Sequence, residues 1–279
     1  MTTYTAQQPK KRLDLIDTLR GLSIISMIIF HTVWIMNSFG YGISSETLYG
    51  PLCTFWERTI CMGFILISGF SFSLGRRHAR NAALTFGLGA AITLVTCIFV
   101  PEIRIVFGVL TFLGSAGFIM IPIDKALSSR NYTDKTISSS LDSAPASDNS
   151  MKKTAWVIFS LLTCALFIFT YSLHKGWLGA FGHELLTLPE GLFKGYFMTY
   201  LGFTDPTFFS SDYFPIMPWI FWYFLGYFLE KLSRGTSLRS GALTKGIPAL
   251  SFLGRHSLII YVIHPVVIFA AVYVYSAFS

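Results

Sequence analysis

Charge is what this chain lacks most. Only 13% of its 279 residues are Asp, Glu, Lys or Arg, against about 25% in soluble domains. Acidic residues are the rarer kind, 14 against 21 basic ones. Apolar residues make up 53%, Phe alone fills 27 positions, and mean hydropathy is +0.58. This balance excludes an ordinary soluble domain and a disordered chain, and it suits lipid as solvent. Cysteine is scarce too. Cys53, Cys61, Cys97 and Cys164 stand singly in or beside apolar stretches, with no CxxC pair and no Cys/His group at ligand spacing. That argues against a disulfide framework or a zinc site, and no metal is expected. An internal repeat is missing as well, and with it the inverted-repeat signature of many transporters.

What is present is a series of apolar stretches near the length, about 20 residues, that crosses a bilayer. Seven can be placed, at 17–39, 54–74, 82–100, 105–121, 155–173, 213–232 and 257–276. A lone segment in lipid must satisfy its own backbone, so each is expected to be a helix. The first is not a cleaved signal: it carries Asp17 and Arg20 inside its start, is too long, and lacks a small-x-small cleavage site. Basic loop residues set the orientation. With the N-terminus in the cytoplasm, inside segments hold fifteen Lys and Arg, among them Lys10–Arg12, Arg76, Arg77, Arg80 and Lys231–Lys245. Outside segments hold three, Arg104, Lys175 and Lys194. The expected fold is therefore an all-α integral membrane protein, a bundle of about seven transmembrane helices, N-terminus inside and C-terminus outside. The expected location is the cell membrane. The net charge of +7 is then mostly topology, and no nucleic-acid partner is implied.

Residues 1–279 read as one transmembrane domain with a cytoplasmic tail at 1–12. The stretch 128–150 is rich in Ser, Asp, Asn and Thr and reads as a disordered cytoplasmic linker. The segment 174–212 is rich in aromatics and reads as an outer loop; its part 185–201 either lies in the interface or re-enters the bundle. Outer aromatics and small-residue faces permit a homodimer without requiring one.

Ionisable residues inside a span are functional hypotheses by default, because lipid makes them costly. The first span holds Asp17, Arg20 and His31. Steps of about 100° bring Arg20 and Asp17 within roughly 20° and 40° of His31, so all three share a face. They lie about 16 Å and 21 Å from His31 along the axis. Asp17 is thus too far to orient His31 and reads as the partner of Arg20 or part of a cytoplasmic ligand site. A carboxylate for His31 has to come from Glu57, Glu102 or Asp212, and the sequence does not choose. Other readings stay double. Ser68, Gly69 and Ser71 allow either close approach of a ligand or close helix packing. Arg76, Arg77 and Arg80 serve anion binding or topology. Arg255 and His256 lie at the cytoplasmic entry of the last span. Asp212 caps a helix or meets an acceptor. His264 precedes Pro265, and it polarises an acceptor or uses the carbonyls that a proline leaves without donors.

The stretch Ile16-Asp17-Thr18-Leu19-Arg20-Gly21, followed by an apolar run to Phe30-His31, resembles the opening of transmembrane acyltransferases. Its Arg-x10-His spacing is shared with the acyltransferase-3 group of glycan O-acyltransferases. The closer resemblance is to the bacterial branch of the heparan-α-glucosaminide N-acetyltransferase catalytic-domain family. It is carried by LISGFSF at 66–72, FGVLTFLG at 107–114, SDYFPIMPW at 211–219 and FLGRHSLIIYVIHP at 252–265. The resemblance implies acetyl-CoA on the cytoplasmic side and a sugar or glycan acceptor reached from the other side. Arg20, Asp17, Arg76, Arg77, Arg80 and Arg255, with Ser68, Gly69 and Ser71, are then candidates for the acyl-CoA site. His31 becomes the base or acyl carrier, with Asp212, His264 and Glu57 as acceptor-side helpers. Two departures stand out. The lysosomal animal members carry their catalytic His on the loop after the first helix, and 40–51 contains none here. Thr111 stands where the family often has His. The competing expectation is a non-enzymatic transporter or flippase for a small anion or glycan, the polar face of the first span lining its path.

Overall fold

The computed structural model describes residues 12–138 and 147–278. In chain order the helices are α1 (Asp14–Ser38), α2 (Ser45–Leu48), α3 (Pro51–Phe72), α4 (His78–Phe99), α5 (Val109–Ser138) and α6 (Ser147–Thr170). An antiparallel hairpin follows, β1 (Trp177–Ala180) with β2 (His183–Thr187). Then come α7 (Tyr196–Leu201), α8 (Trp219–Ser233), α9 (Ser237–Ser240), α10 (Pro248–Arg255) and α11 (Ser257–Phe278). Six of them, α1, α3, α4, α5, α6 and α11, are long and apolar enough to cross a membrane. Their outer faces expose large apolar side chains such as Leu94, Ile98, Val266 and Val267, as lipid-facing surfaces do. The protein is an all-α multi-pass membrane protein.

The seventh expected span, 213–232, is shorter than its sequence suggested. Pro215 and Pro218 interrupt it, and α8 begins only at Trp219 and has 15 residues. That is about 22 Å of helix against roughly 30 Å of hydrocarbon. The chain before it is irregular yet buried at Phe214 and Ile216. Its amides are satisfied by α7: Ile216 N–H donates to Tyr200 O and Met217 N–H to Leu201 O, both at 2.9 Å. Irregular backbone at membrane depth requires such protein partners. The fourth span also starts late, at Val109, after Phe107 takes a left-handed turn (φ 58°).

Helix enters both flanks of the segment read as a disordered linker. α5 continues to Ser138, with no Gly or Pro after Pro122 to interrupt it, and α6 starts at Ser147, two residues past Pro145. Residues 139–146 lie outside the described residues, as does the tail 1–11. The outer segment 174–212 holds the hairpin, a 3-10 turn at Glu190–Leu192 and α7. Its α-helical part, α7, has six residues.

The chain divides into two compact units, Met1–Ile67 with Ser233–Ser279, and Ser68–Leu232. In the first, α3 runs antiparallel to α1. Trp56 Nε1 donates to Ser26 Oγ at 2.8 Å and sets its ring edge-on to Phe30. α11 runs parallel to α1. His264 meets His31, Phe269 meets Phe39, and Tyr275 meets Tyr41. Ile24, Met27, Phe30 and Ile60 fill the core between them, against Ile260 and Tyr261.

The short α10 is seated on the first turns of α1. A Cβ at Gly21 would overlap Leu250 O, and one at Gly254 would overlap Asp17 O. Only glycine lets the two backbones meet this closely. Hydroxyls complete the seam: Thr18 Oγ1 and Ser251 Oγ are 2.8 Å apart, and Ile247 N–H donates to Thr18 Oγ1 at 3.0 Å. Proline at its first position suits the start of α10.

In the second unit α4 and α5 pack antiparallel through Gly89 against Thr111 and Gly117 against Ala82. α5 and α8 are joined by Asp124, whose Oδ1 accepts from Tyr227 OH at 2.5 Å and Lys231 Nζ at 3.2 Å.

Candidate active site

The first unit holds the polar face read from α1, and it ends in two clusters. At the N-terminal end, Asp17 is buried and takes an arginine on each oxygen. Arg20 Nη1 reaches Oδ1 at 2.8 Å, and Arg12 reaches Oδ2 through Nη2 at 2.9 Å and Nε at 3.0 Å. Asp14 Oδ1 also lies 3.9 Å from Arg12 Nε, so two guanidinium groups meet two carboxylates, and donors of Arg12 that face solvent can add contacts to an anionic ligand. Both carboxylates of the first turn, Asp14 and Asp17, also suit the positive end of the helix. Arg255 is brought to this same end by α10, since its neighbour Gly254 lies on Asp17 O. Its Nε donates to Ser251 O at 3.1 Å, which leaves the guanidinium tip exposed. By sequence Arg12 belongs to a basic tail, and nothing in its spacing marks it as a partner of Asp17.

The second cluster lies eleven residues further along α1, about 16 Å up the axis. His31 Nδ1 and His264 Nε2 are 2.8 Å apart, with ring centroids at 4.9 Å and the rings inclined by 29°. His264 is buried at 6% exposure and His31 is half-buried. His264 Nδ1 lies 2.7 Å from Tyr261 O and 3.2 Å from Ile260 O. The partner of His31 is thus an imidazole. Glu57, the candidate carboxylate in this unit, is exposed and makes no hydrogen bond or ion pair among the described residues. The sequence marks His31 and His264 separately. Their pairing across 233 positions had no local signal.

The second unit carries the remaining candidates. Gly69 is buried against Tyr223, whose carbonyl oxygen a Cβ at Gly69 would overlap. This close contact joins the end of α3 to α8 within the unit. Ser68 and Ser71 on the same turn are half-buried. Arg76, Arg77 and Arg80 surround the start of α4, where Arg77 is the N-cap, and all are exposed. Cations at a helix N-terminus oppose its dipole, and none of the three forms an ion pair among the described residues. Asp212 does cap a helix, but the cap is on α5: its Oδ2 accepts Val109 N–H at 3.2 Å. Glu102 lies exposed in the turn before α5. Thr111 Oγ1 is buried without a hydrogen-bond partner among the described residues. No group of three or more His, Cys, Asp or Glu among the described residues is placed to hold a metal.

Long apolar helices around a paired histidine and an arginine-rich helix end define a multi-pass membrane protein with ionisable residues inside its spans. The comparison with known families then fixes the class. Residues 12–133 and 151–266 match the family described as Heparan-alpha-glucosaminide N-acetyltransferase, catalytic. The match covers most of the chain, and the protein belongs to this family of membrane acetyltransferases. No curated protein and no solved structure matches the chain.

Proposed function

We propose that the protein transfers an acetyl group from acetyl-CoA to a hydroxyl or amine of a sugar or glycan, with His31 as the base. The observation that carries the reading is the arrangement on α1. A histidine sits eleven residues from Arg20, which shares Asp17 with Arg12, in a chain that belongs to an N-acetyltransferase family. Acetyl-CoA, the co-substrate of that family, joins a phosphate-bearing nucleotide to a thioester through a long flexible arm. Arg20, Arg12 and Arg255 supply cations for phosphates at one end. The roughly 16 Å to His31 is of the order such an arm spans. Arg76, Arg77 and Arg80, which the loop charges assign to the same compartment, are a second set of candidate phosphate ligands.

In the direct route His31 Nε2 accepts the proton of the acceptor as its oxygen or nitrogen attacks the thioester carbonyl. The tetrahedral intermediate collapses, the C–S bond breaks, and the CoA thiolate leaves and takes up one proton. In the covalent route His31 Nε2 itself attacks, the C–S bond breaks and CoA leaves as the thiolate; the acceptor then attacks the acetyl-imidazolium, the N–acetyl bond breaks, and the acceptor's proton is the one that neutralises the thiolate. Both routes put the same nitrogen at the reaction centre.

The test is acetyl transfer by protein reconstituted in liposomes, with radiolabelled acetyl-CoA and a glucosamine glycoside. CoA released in step with acetylated glycoside supports the reading. Flux of the glycoside across the membrane without CoA, and no transfer, would make the protein a transporter instead.

A further inference from the structure

The direction of the His264 ring follows from the residue after it. In an uninterrupted helix the N–H of position 265 donates to the carbonyl of position 261. Pro265 has no N–H, so inside α11 the Tyr261 carbonyl has lost its donor. His264 Nδ1 takes that place, 2.7 Å from the oxygen, with Ile260 O at 3.2 Å. A carbonyl only accepts, so Nδ1 of His264 carries the proton. In the neutral ring Nε2 then holds the lone pair. It lies 2.8 Å from His31 Nδ1, which must donate to it. A neutral His31 protonated on Nδ1 keeps its own lone pair on Nε2.

We propose that the Tyr261 carbonyl, His264 and His31 form a tautomer relay for the acetyl-transfer reaction, with Pro265 as the residue that sets it. The proposal rests on the reading of His31 as the base or nucleophile. Pro265 frees the carbonyl, the carbonyl fixes the proton of His264, and His264 fixes the proton of His31. The reactive nitrogen is thereby Nε2. A neutral imidazole does what a carboxylate does for the histidine of a triad: it holds one tautomer and one orientation. It also does so without placing a net negative charge at membrane depth.

The relay has a second state. When His31 Nε2 accepts the proton of the acceptor, His31 is a cation that still donates through Nδ1. That Nδ1 proton can cross to His264 Nε2, which makes His264 the cation and His31 neutral. His264 then donates twice, to Tyr261 O and to His31 Nδ1. No heavy atom has to move, and the charge is shared by two rings. His264 is a positioning residue in this scheme, since only His31 touches the acceptor or the acetyl group.

The test reads the proton directly. Ring-nitrogen NMR of 15N-histidine-labelled protein in nanodiscs distinguishes Nδ1–H from Nε2–H, and His31→Gln identifies the His31 signals. The expected result is His31 as the Nδ1–H form. His264→Leu shifts it toward Nε2–H and lowers kcat by roughly 10²-fold, the scale of a misplaced catalytic group, with KM for acetyl-CoA unchanged. His264→Gln, whose amide can donate to Tyr261 O and accept from His31, recovers the Nδ1–H form and part of the lost kcat. Pro265→Ala restores an N–H at 265 that competes for Tyr261 O, so it loosens the relay in a helix that still folds. His31 found as Nε2–H in the unmodified protein overturns the relay, and so does an Nδ1–H form that survives His264→Leu. The NMR result does not depend on turnover. An Nδ1–H form in a protein whose turnover survives His31→Ala sinks the base and with it the relay's part in transfer, and leaves only the hydrogen-bonded order of the two rings. An Nε2–H form in a protein that His31→Ala inactivates overturns the relay and leaves the base standing.

Discussion

His31 and His264 meet at 2.8 Å on helices that run in the same direction. The parallel course is marked by the ordered contacts that flank the pair, Asp17 with Gly254 on one side and Tyr41 with Tyr275 on the other. Two parallel spans of one chain need an odd number of crossings between them. The long helices α3, α4, α5 and α6 are candidates for four, and we propose that α8 supplies the fifth despite its 15 residues.

The first prediction is therefore topological. Reporters fused at the two ends of the chain should report opposite sides of the membrane. The loop after α8, with Arg234, Arg239 and Lys245, should lie on the side of the N-terminus. Both ends on one side would mean that α8 does not cross.

Much of this frame was legible in the sequence, because apolar length reports a span directly. The shared face of Asp17, Arg20 and His31 followed from helix periodicity alone, and the Asp17–Arg20 ion pair is the expected i,i+3 contact. The limits were physical. Pro215 and Pro218 cut the seventh span, yet the burial that keeps 214–217 in place depends on carbonyls of α7, which no local pattern announces. The α1–α10 seam depends on Gly21 and Gly254, 233 positions apart. Small residues announce only that something comes close. The His31–His264 pair has the same character: each histidine was a candidate alone, and the backbone course made them one group.

Arg20→Ala should weaken acetyl-CoA binding by roughly 10- to 100-fold, the size of one lost charge-assisted contact (about 1.5–3 kcal/mol). Thermal stabilisation of purified protein against acetyl-CoA concentration measures it, with dephospho-CoA as the control for the 3′-phosphate. An affinity that Arg20→Ala leaves intact would move the nucleotide away from this helix end.

Gly254→Ala should destabilise the first unit by about 1–3 kcal/mol, since the added methyl meets the Asp17 carbonyl oxygen. The melting temperature should fall even without donor. Ser240→Ala, an exposed change in α9, should leave it within the error of the measurement. An unchanged melt in Gly254→Ala would show that the seam can open at no cost.

The outer segment carries a pH dependence of its own. Asp205 accepts from Gly195 N–H at 2.8 Å and from the N–H and hydroxyl of Thr207 at 2.9 and 2.7 Å. The Gly195 amide, then the Thr207 donors, hold its carboxyl below the ordinary carboxylate value. A lowered folded value means that the stabilisation is complete above the unfolded pKa, about 3.9. It is lost as pH falls through the folded value. Protection of the Gly195 and Thr207 amides against hydrogen exchange should hold at pH 7 and decline below about pH 4. Asp205→Asn should bring the low protection to pH 7. Equal protection at pH 7 and pH 3 would remove the carboxylate from the account.

The central claim is that His31 performs the transfer. It is tested most directly by single-turnover acetyl transfer to a glucosamine glycoside, comparing His31→Ala with the unmodified protein while acetyl-CoA binding is measured on the same preparations. The account predicts a rate reduced by about 10²–10⁴-fold, the contribution of a positioned base, with donor binding retained. Transfer at an undiminished rate by folded His31→Ala protein would contradict it.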